Sequence, residues 1–137
     1  MARDRYHDIV KQALINDGWV ITHDPYTIEF AKDFVYIDLG AECPIAAEKD
    51  GHKIAVEIKS FLGASKFAEF ERAMGQYVIY RRLLSMSEPN RLLFLAVTQE
   101  TYERVFTAVA IKMLTEMEGL KVIVVESEQK KVLQWIN

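Results

Sequence analysis

In Glu42-Cys43-Pro44-Ile45-Ala46-Ala47-Glu48-Lys49-Asp50-Gly51-His52-Lys53-Ile54-Ala55-Val56-Glu57-Ile58-Lys59, a turn dipeptide separates two alternating segments. Asp-Gly favours the positive backbone angles of a two-residue hairpin turn, which fixes the pairing of the flanking strands. Lys49 then opposes His52, Glu48 opposes Lys53, and every opposed pair sums to 101. This register puts Cys43, Ile45 and Ala47 beside Ile54, Val56 and Ile58 on one apolar face. Glu57 falls on the other face opposite Pro44, and Glu42 opposes Lys59, so two carboxylates and an ammonium gather within ~4.5–8 Å.

Outward from the hairpin, the pattern is that of one α/β domain spanning residues 1–137. Tyr6, Ile9, Val10, Ala13 and Leu14 recur at helical spacing over Arg3 to Asp17, and Gly18 is placed to end that helix. Trp19 to Thr22 reads as a short strand, His23-Asp24-Pro25 as a turn, Thr27 to Phe30 as strand or loop, and Phe34 to Leu39 as β-rich. Ser65 is the expected cap of a helix to about Leu84, with Phe67, Phe70, Ala73, Tyr77, Tyr80 and Leu84 on or near one stripe. Leu92 to Val97 has the continuous apolar character of a central strand. A helix over about Gln99 to Glu118, a strand at Val122 to Val125 and a final strand at Lys131 to Ile136 complete a mixed sheet flanked by helices.

Composition narrows the class. Half of the 137 residues are hydrophobic and 27% are charged, which excludes a disordered chain. The apolar runs are too short to span a membrane and Met1 to Asp8 has no apolar signal core, so a soluble, cytoplasmic protein with no membrane partner is expected. One cysteine and three histidines give no disulfide framework and no zinc spacing. Seventeen basic residues against twenty acidic give a net charge of −3, which does not by itself advertise DNA binding. A site that holds phosphate through a divalent cation nevertheless needs carboxylates.

Glu42, Glu57 and Lys59 have that chemistry. Two carboxylates can share Mg²⁺, which leaves positions for phosphate and water, while a lysine stabilises developing charge. An exposed strand face with an ordinary ion pair would show the same pattern. Gln76 and Tyr80 lie one helical turn apart on the following helix, where they either contact substrate or belong to the rim and surface. Lys66, Arg72, Arg81 and Arg82 could border a DNA surface or simply be solvated.

The order acidic residue, hairpin, Glu57-Ile58-Lys59, helix with Gln76 and Tyr80, strand resembles the PD-(D/E)XK nuclease superfamily. More narrowly, Tyr6-His7-Asp8, Asp17-Gly18-Trp19, Ile21-Thr22-His23-Asp24-Pro25, Ile37-Asp38-Leu39-Gly40-Ala41-Glu42, Ile54 to Phe61 and Gly75-Gln76-Tyr77 resemble the XisH family. These are cyanobacterial fdxN element excision controlling factors, which act in developmentally timed DNA excision by a separate recombinase, with XisI as companion. The resemblance implies a restriction-endonuclease-like core and a Mg²⁺ or Mn²⁺ site for phosphodiester hydrolysis. It makes Glu57 the central acidic ligand, Lys59 the motif lysine, and Gln76 and Tyr80 the helix motif. Glu42 is the preferred second metal ligand; Asp38 takes that place if a bulge at Gly40 shortens the path, and His7 is a further candidate. DNA and a XisI-like protein are the implied partners, and self-association is left open. A non-catalytic accessory that keeps the nuclease fold is the alternative.

Overall fold

The computed structural model describes residues 2–30, 33–35 and 44–137. Helix α1 (Ala2–Asn16) leads to β1 (Val20–His23), and β2 (Ile28–Phe30) pairs with β3 (Asp33–Val35). The hairpin β4 (Ile45–Lys49) and β5 (His52–Ile58) is followed by α2 (Lys66–Ser87) and β6 (Arg91–Thr98). Helices α3 (Gln99–Val105) and α4 (Val109–Met117) precede β7 (Val122–Glu126) and β8 (Lys131–Ile136). The six-stranded sheet has the order β1-β4-β5-β6-β7-β8, parallel at β5–β6 and β6–β7 and antiparallel elsewhere.

The hairpin has the register that the turn dictates: Ile45 opposes Val56, Ala47 opposes Ile54 and Lys49 opposes His52. Asp50 (φ 49°) and Gly51 (φ 82°) are both left-handed, as a two-residue turn of this hand requires. Gly18 (φ 95°) ends α1 in the same region.

Both sides of the sheet are covered, so alternation along its strands sorts side chains into two cores. Ile45, Ala47, Ile54, Val56, Ile58, Phe94, Ala96, Ile123 and Val125 pack with Ile9, Val10, Ala13 and Leu14 of α1. Ala46, Ala55, Leu93, Leu95, Val97, Val122 and Val124 cluster with Phe70, Ala73, Tyr77, Tyr80 and Leu84 of α2. The second side is therefore a helix-covered interior rather than a solvated strand face.

Two local expectations are corrected. The Gln99 to Glu118 helix is broken, because Phe106 turns into the core against Phe61, Phe70 and Tyr102, and Ala108 is extended (ψ 133°). The Thr107 hydroxyl also donates to the Glu103 carbonyl at 2.6 Å, a side-chain bond of the kind that competes with helix continuation. On α2, Phe67 is largely exposed. It lies ~100° around the helix from the middle of the buried arc, so the stripe begins at Phe70.

Candidate functional site

Glu57 is odd-numbered on β5, and that parity turns it toward α2. It is fully buried, next to Leu95 on the neighbouring strand. Its charge reaches Tyr77: burial pushes the phenol pKa of Tyr77 up and Glu57 adds to the rise, against the opposing Lys121 amide and Arg81. The Tyr77 hydroxyl donates to the Leu93 carbonyl at 2.8 Å and accepts from the Lys121 amide at 3.1 Å. This bridge ties the middle of α2 to β6 and to the approach to β7, and so sets which α2 side chains meet β5.

Lys59 follows the last residue of β5, its amide still bonded to the Ala96 carbonyl at 3.1 Å. Its ammonium donates to Gln76 Oε1, joining the end of the strand to the preceding neighbour of Tyr77. Gln76 is buried, and its Nε2 has no hydrogen-bond partner among the described residues. An amide left that way costs about 1–3 kcal/mol, so the position is expensive unless something accepts from it. Tyr80, one turn further on, is buried in the same α2-side core. Glu57, Lys59, Gln76 and Tyr80 thus belong to the α2 side of the sheet, and the Lys59–Gln76 bond links the end of β5 to α2.

A corner beyond Lys59 went unrecognised in the sequence. Phe61 is buried with φ 52°, a left-handed conformation that costs a non-glycine residue about 1–3 kcal/mol and turns the chain off the sheet. Arg104 donates to the Phe61 carbonyl at 2.9 Å, Thr101 donates to the Ser60 carbonyl at 3.4 Å, and Phe106 meets Phe61 edge-on at 5.6 Å. No local pattern signals this arrangement, because its supports come about 40 residues later.

Glu42 and Asp38 lie outside the described residues, as does Cys43. His7 is directed elsewhere: its Nε2 is 2.9 Å from Asp24 Oδ1, and Lys11 donates to Asp24 Oδ2 at 2.8 Å. Burial would raise the Asp24 pKa, but the bonds and charges of Lys11 and His7 outweigh it and hold the carboxyl below its usual range. The trio pins α1 to the turn after β1. Of the basic residues, Arg81 is engaged with Glu118 and lies over the Tyr77 ring, Lys66 reaches the Arg104 carbonyl, and Arg72 and Arg82 are exposed. No group of three histidine, cysteine or acidic side chains could hold a metal ion among the described residues. Glu57 is a buried carboxylate on the α2 side of the sheet.

Arg91, also missed, is buried at the start of β6. It donates to the Ile54 carbonyl at 3.0 Å and to Glu88 at 3.1 Å, with its guanidinium 5.1 Å above the Tyr26 ring. Tyr26 in turn donates to Glu88. This network fastens the chain before β2 to the far end of α2. No helix of the described residues is long and apolar enough to cross a membrane.

Fold and site define a single-domain α/β protein in which an acidic strand residue is followed two positions later by a lysine bonded to a glutamine of one long helix. The XisH protein family model matches residues 1–133, and the chain belongs to the XisH family. It is 43% identical to a crystallised fdxN element excision controlling factor from Anabaena variabilis, with a TM-score of 0.88 over 98% of this chain and 100% of that one. A crystallised XisH family protein from Nostoc punctiforme is 41% identical, with the same TM-score and the same coverage of both chains. Among curated proteins, none matches the chain.

Proposed function

We propose that this chain is a DNA excision controlling factor with a Mg²⁺-dependent nuclease-type site at the junction of β5 and α2, built on a restriction-endonuclease-like core of the PD-(D/E)XK kind. The observation that carries the reading is the contact of Lys59 with Gln76, on the α2-covered side of the sheet that also holds Glu57. An acid and a lysine two residues apart on a strand end, gripped by a helix glutamine, suit the attack of water on a phosphodiester. Glu57 is one metal ligand and Glu42, or Asp38 in its place, the second. Mg²⁺ or Mn²⁺ bound there supplies Lewis acidity and a lowered pKa for bound water. Lys59 stabilises charge developing on the phosphate, Gln76 orients the ammonium and offers its Nε2 to an acceptor, and Tyr80 continues the same helix face. DNA is the substrate, a XisI-like protein the companion, and the cytoplasm the place of action.

The full burial of Glu57 favours a second reading, in which the site is vestigial and the domain acts by binding recombinase, DNA or a XisI-like partner. DNA cleavage by purified protein, alone and with its companion, separates the two. Catalysis predicts cleavage with Mg²⁺ or Mn²⁺ but not with EDTA, and none by Glu57→Gln. Lys59→Ala should keep metal binding and lose about 100-fold in rate, the scale of one charge-stabilising group. Undiminished excision in cells carrying Glu57→Gln at normal protein level would establish the accessory role.

A further inference from the structure

Helix α4 has two apolar faces, and among the described residues only one of them is buried. Ile111 and Thr115 are buried, whereas Val109, Met113 and Met117 are 75%, 54% and 76% exposed. At ~100° per residue these three form a stripe directly opposite the buried face. Arg81 of α2 reaches Glu118 at the C-terminal end of α4, so α2 meets that end of α4 on the Leu114 side. Leu114 and Val78, one turn back on each helix, are also exposed and widen the stripe toward α2. A helix that is apolar on opposite faces is normally covered on both, and methionines supply an adaptable contact surface.

The flank of the stripe indicates what covers it. Lys112 and Glu116 are exposed, lie one turn apart within about a quarter turn on the side away from α2, and form no ion pair among the described residues. When two antiparallel helices pair about a two-fold axis, residues on the same flank face each other. An axis near Met113 brings each Lys112 toward Glu116 of the second copy, twice by symmetry, while Val109 meets Met117 across the seam.

We propose that the exposed face of α4 is a self-association surface, on which two copies of this chain pair antiparallel through Val109, Met113 and Met117 with reciprocal Lys112–Glu116 bridges. The surface belongs to a different helix from the β5–α2 site, so it stands or falls independently of the nuclease reading.

The test is analytical ultracentrifugation of the full chain from low micromolar to near-millimolar concentration. The wild type should show a monomer–dimer equilibrium, and Met113→Glu should be monomeric with a thermal melt within a few degrees of the wild type, because Met113 is more than half exposed and belongs to neither core. Lys112→Glu or Glu116→Lys alone brings like charges together and should weaken the dimer about tenfold or more. Mixing these two variants should restore association as a heterodimer. A wild type that stays monomeric throughout overturns the proposal and leaves the stripe to a different protein. So does a dimer that both charge variants and Met113→Glu leave intact.

Discussion

Replacing Tyr77 with phenylalanine tests how α2 is held over the sheet. The ring is fully enclosed and phenylalanine fills almost the same space, so the change isolates one hydroxyl. That hydroxyl satisfies the Leu93 carbonyl at 2.8 Å and the Lys121 amide at 3.1 Å. Leu93 precedes the β6–β7 ladder, whose first pair is Leu95 with Val122, so no strand residue of β7 stands opposite to replace the lost bond. A buried carbonyl left alone costs about 1–3 kcal/mol, and the partly buried Lys121 amide adds about 0.5–1 kcal/mol because water can reach it. The sum is about 2–4 kcal/mol, or about 8–15 °C in Tm for a domain of this size. Urea unfolding should show the loss with an unchanged slope, and hydrogen exchange should become faster at the Lys121 amide. Tyr102→Phe, which removes the hydroxyl of a half-buried residue whose ring stacks on Phe106, is the control and should stay within about 0.5 kcal/mol. A Tyr77→Phe protein as stable as the wild type would refute the bridge and with it the account of how Gln76 is set against Lys59.

Asp24 and Glu88 both have carboxyls held below their usual range. At Glu88, burial pushes upward and bonds from Tyr26 and Arg91 outweigh it. Their stabilisation is present above the ordinary carboxylate pKa and is lost as pH falls through the lowered folded value; in acid titration of urea stability, Asp24→Asn should flatten this loss. Burial and Glu88 push Tyr26 up to about 12. Its contribution is therefore complete below the ordinary tyrosine pKa of about 10 and fades as pH rises toward 12, and ultraviolet titration should find one late-ionising phenol that Tyr26→Phe removes. Ser65→Ala removes the side-chain cap that accepts from the Ala68 amide at 3.1 Å, and should cost about 1 kcal/mol in urea unfolding.

The hairpin was legible in the sequence because a two-residue turn leaves one register, and that register assigned Glu57 to the side opposite Val56 and Ile58. The parallel strands β6 and β7 were legible because a strand buried on both faces needs unbroken apolar character, as Leu93 to Val97 show. The break between α3 and α4 was not, since residues 99–118 contain neither proline nor glycine and the helix yields to the packing of Phe106. The left-handed Phe61 and the buried Arg91 were hidden for the same reason: their partners Arg104, Thr101, Ile54 and Tyr26 are distant in sequence. Of the candidate site, the resemblance named Lys59 and Gln76 as motif residues but not the bond between them, and the pairing of His7 with Asp24 required knowing how α1 meets the turn after β1.

The turn at Asp50 and Gly51 acts as a phase setter. Strand β5 is anchored by its parallel ladder to β6, so a third turn residue would leave β5 in place and shift β4 by half a pleat. Ala46 would exchange sides with Ile45 and Ala47, placing a bulky isoleucine beneath α2 and an alanine beneath α1. The two cores would be mismatched together, one overfilled and one hollow, although every residue of β4 was unchanged. Length at this turn is thus under tighter physical constraint than side-chain identity, and the constraint extends about 20 Å along β5 to the end of the strand where Glu57 and Lys59 stand.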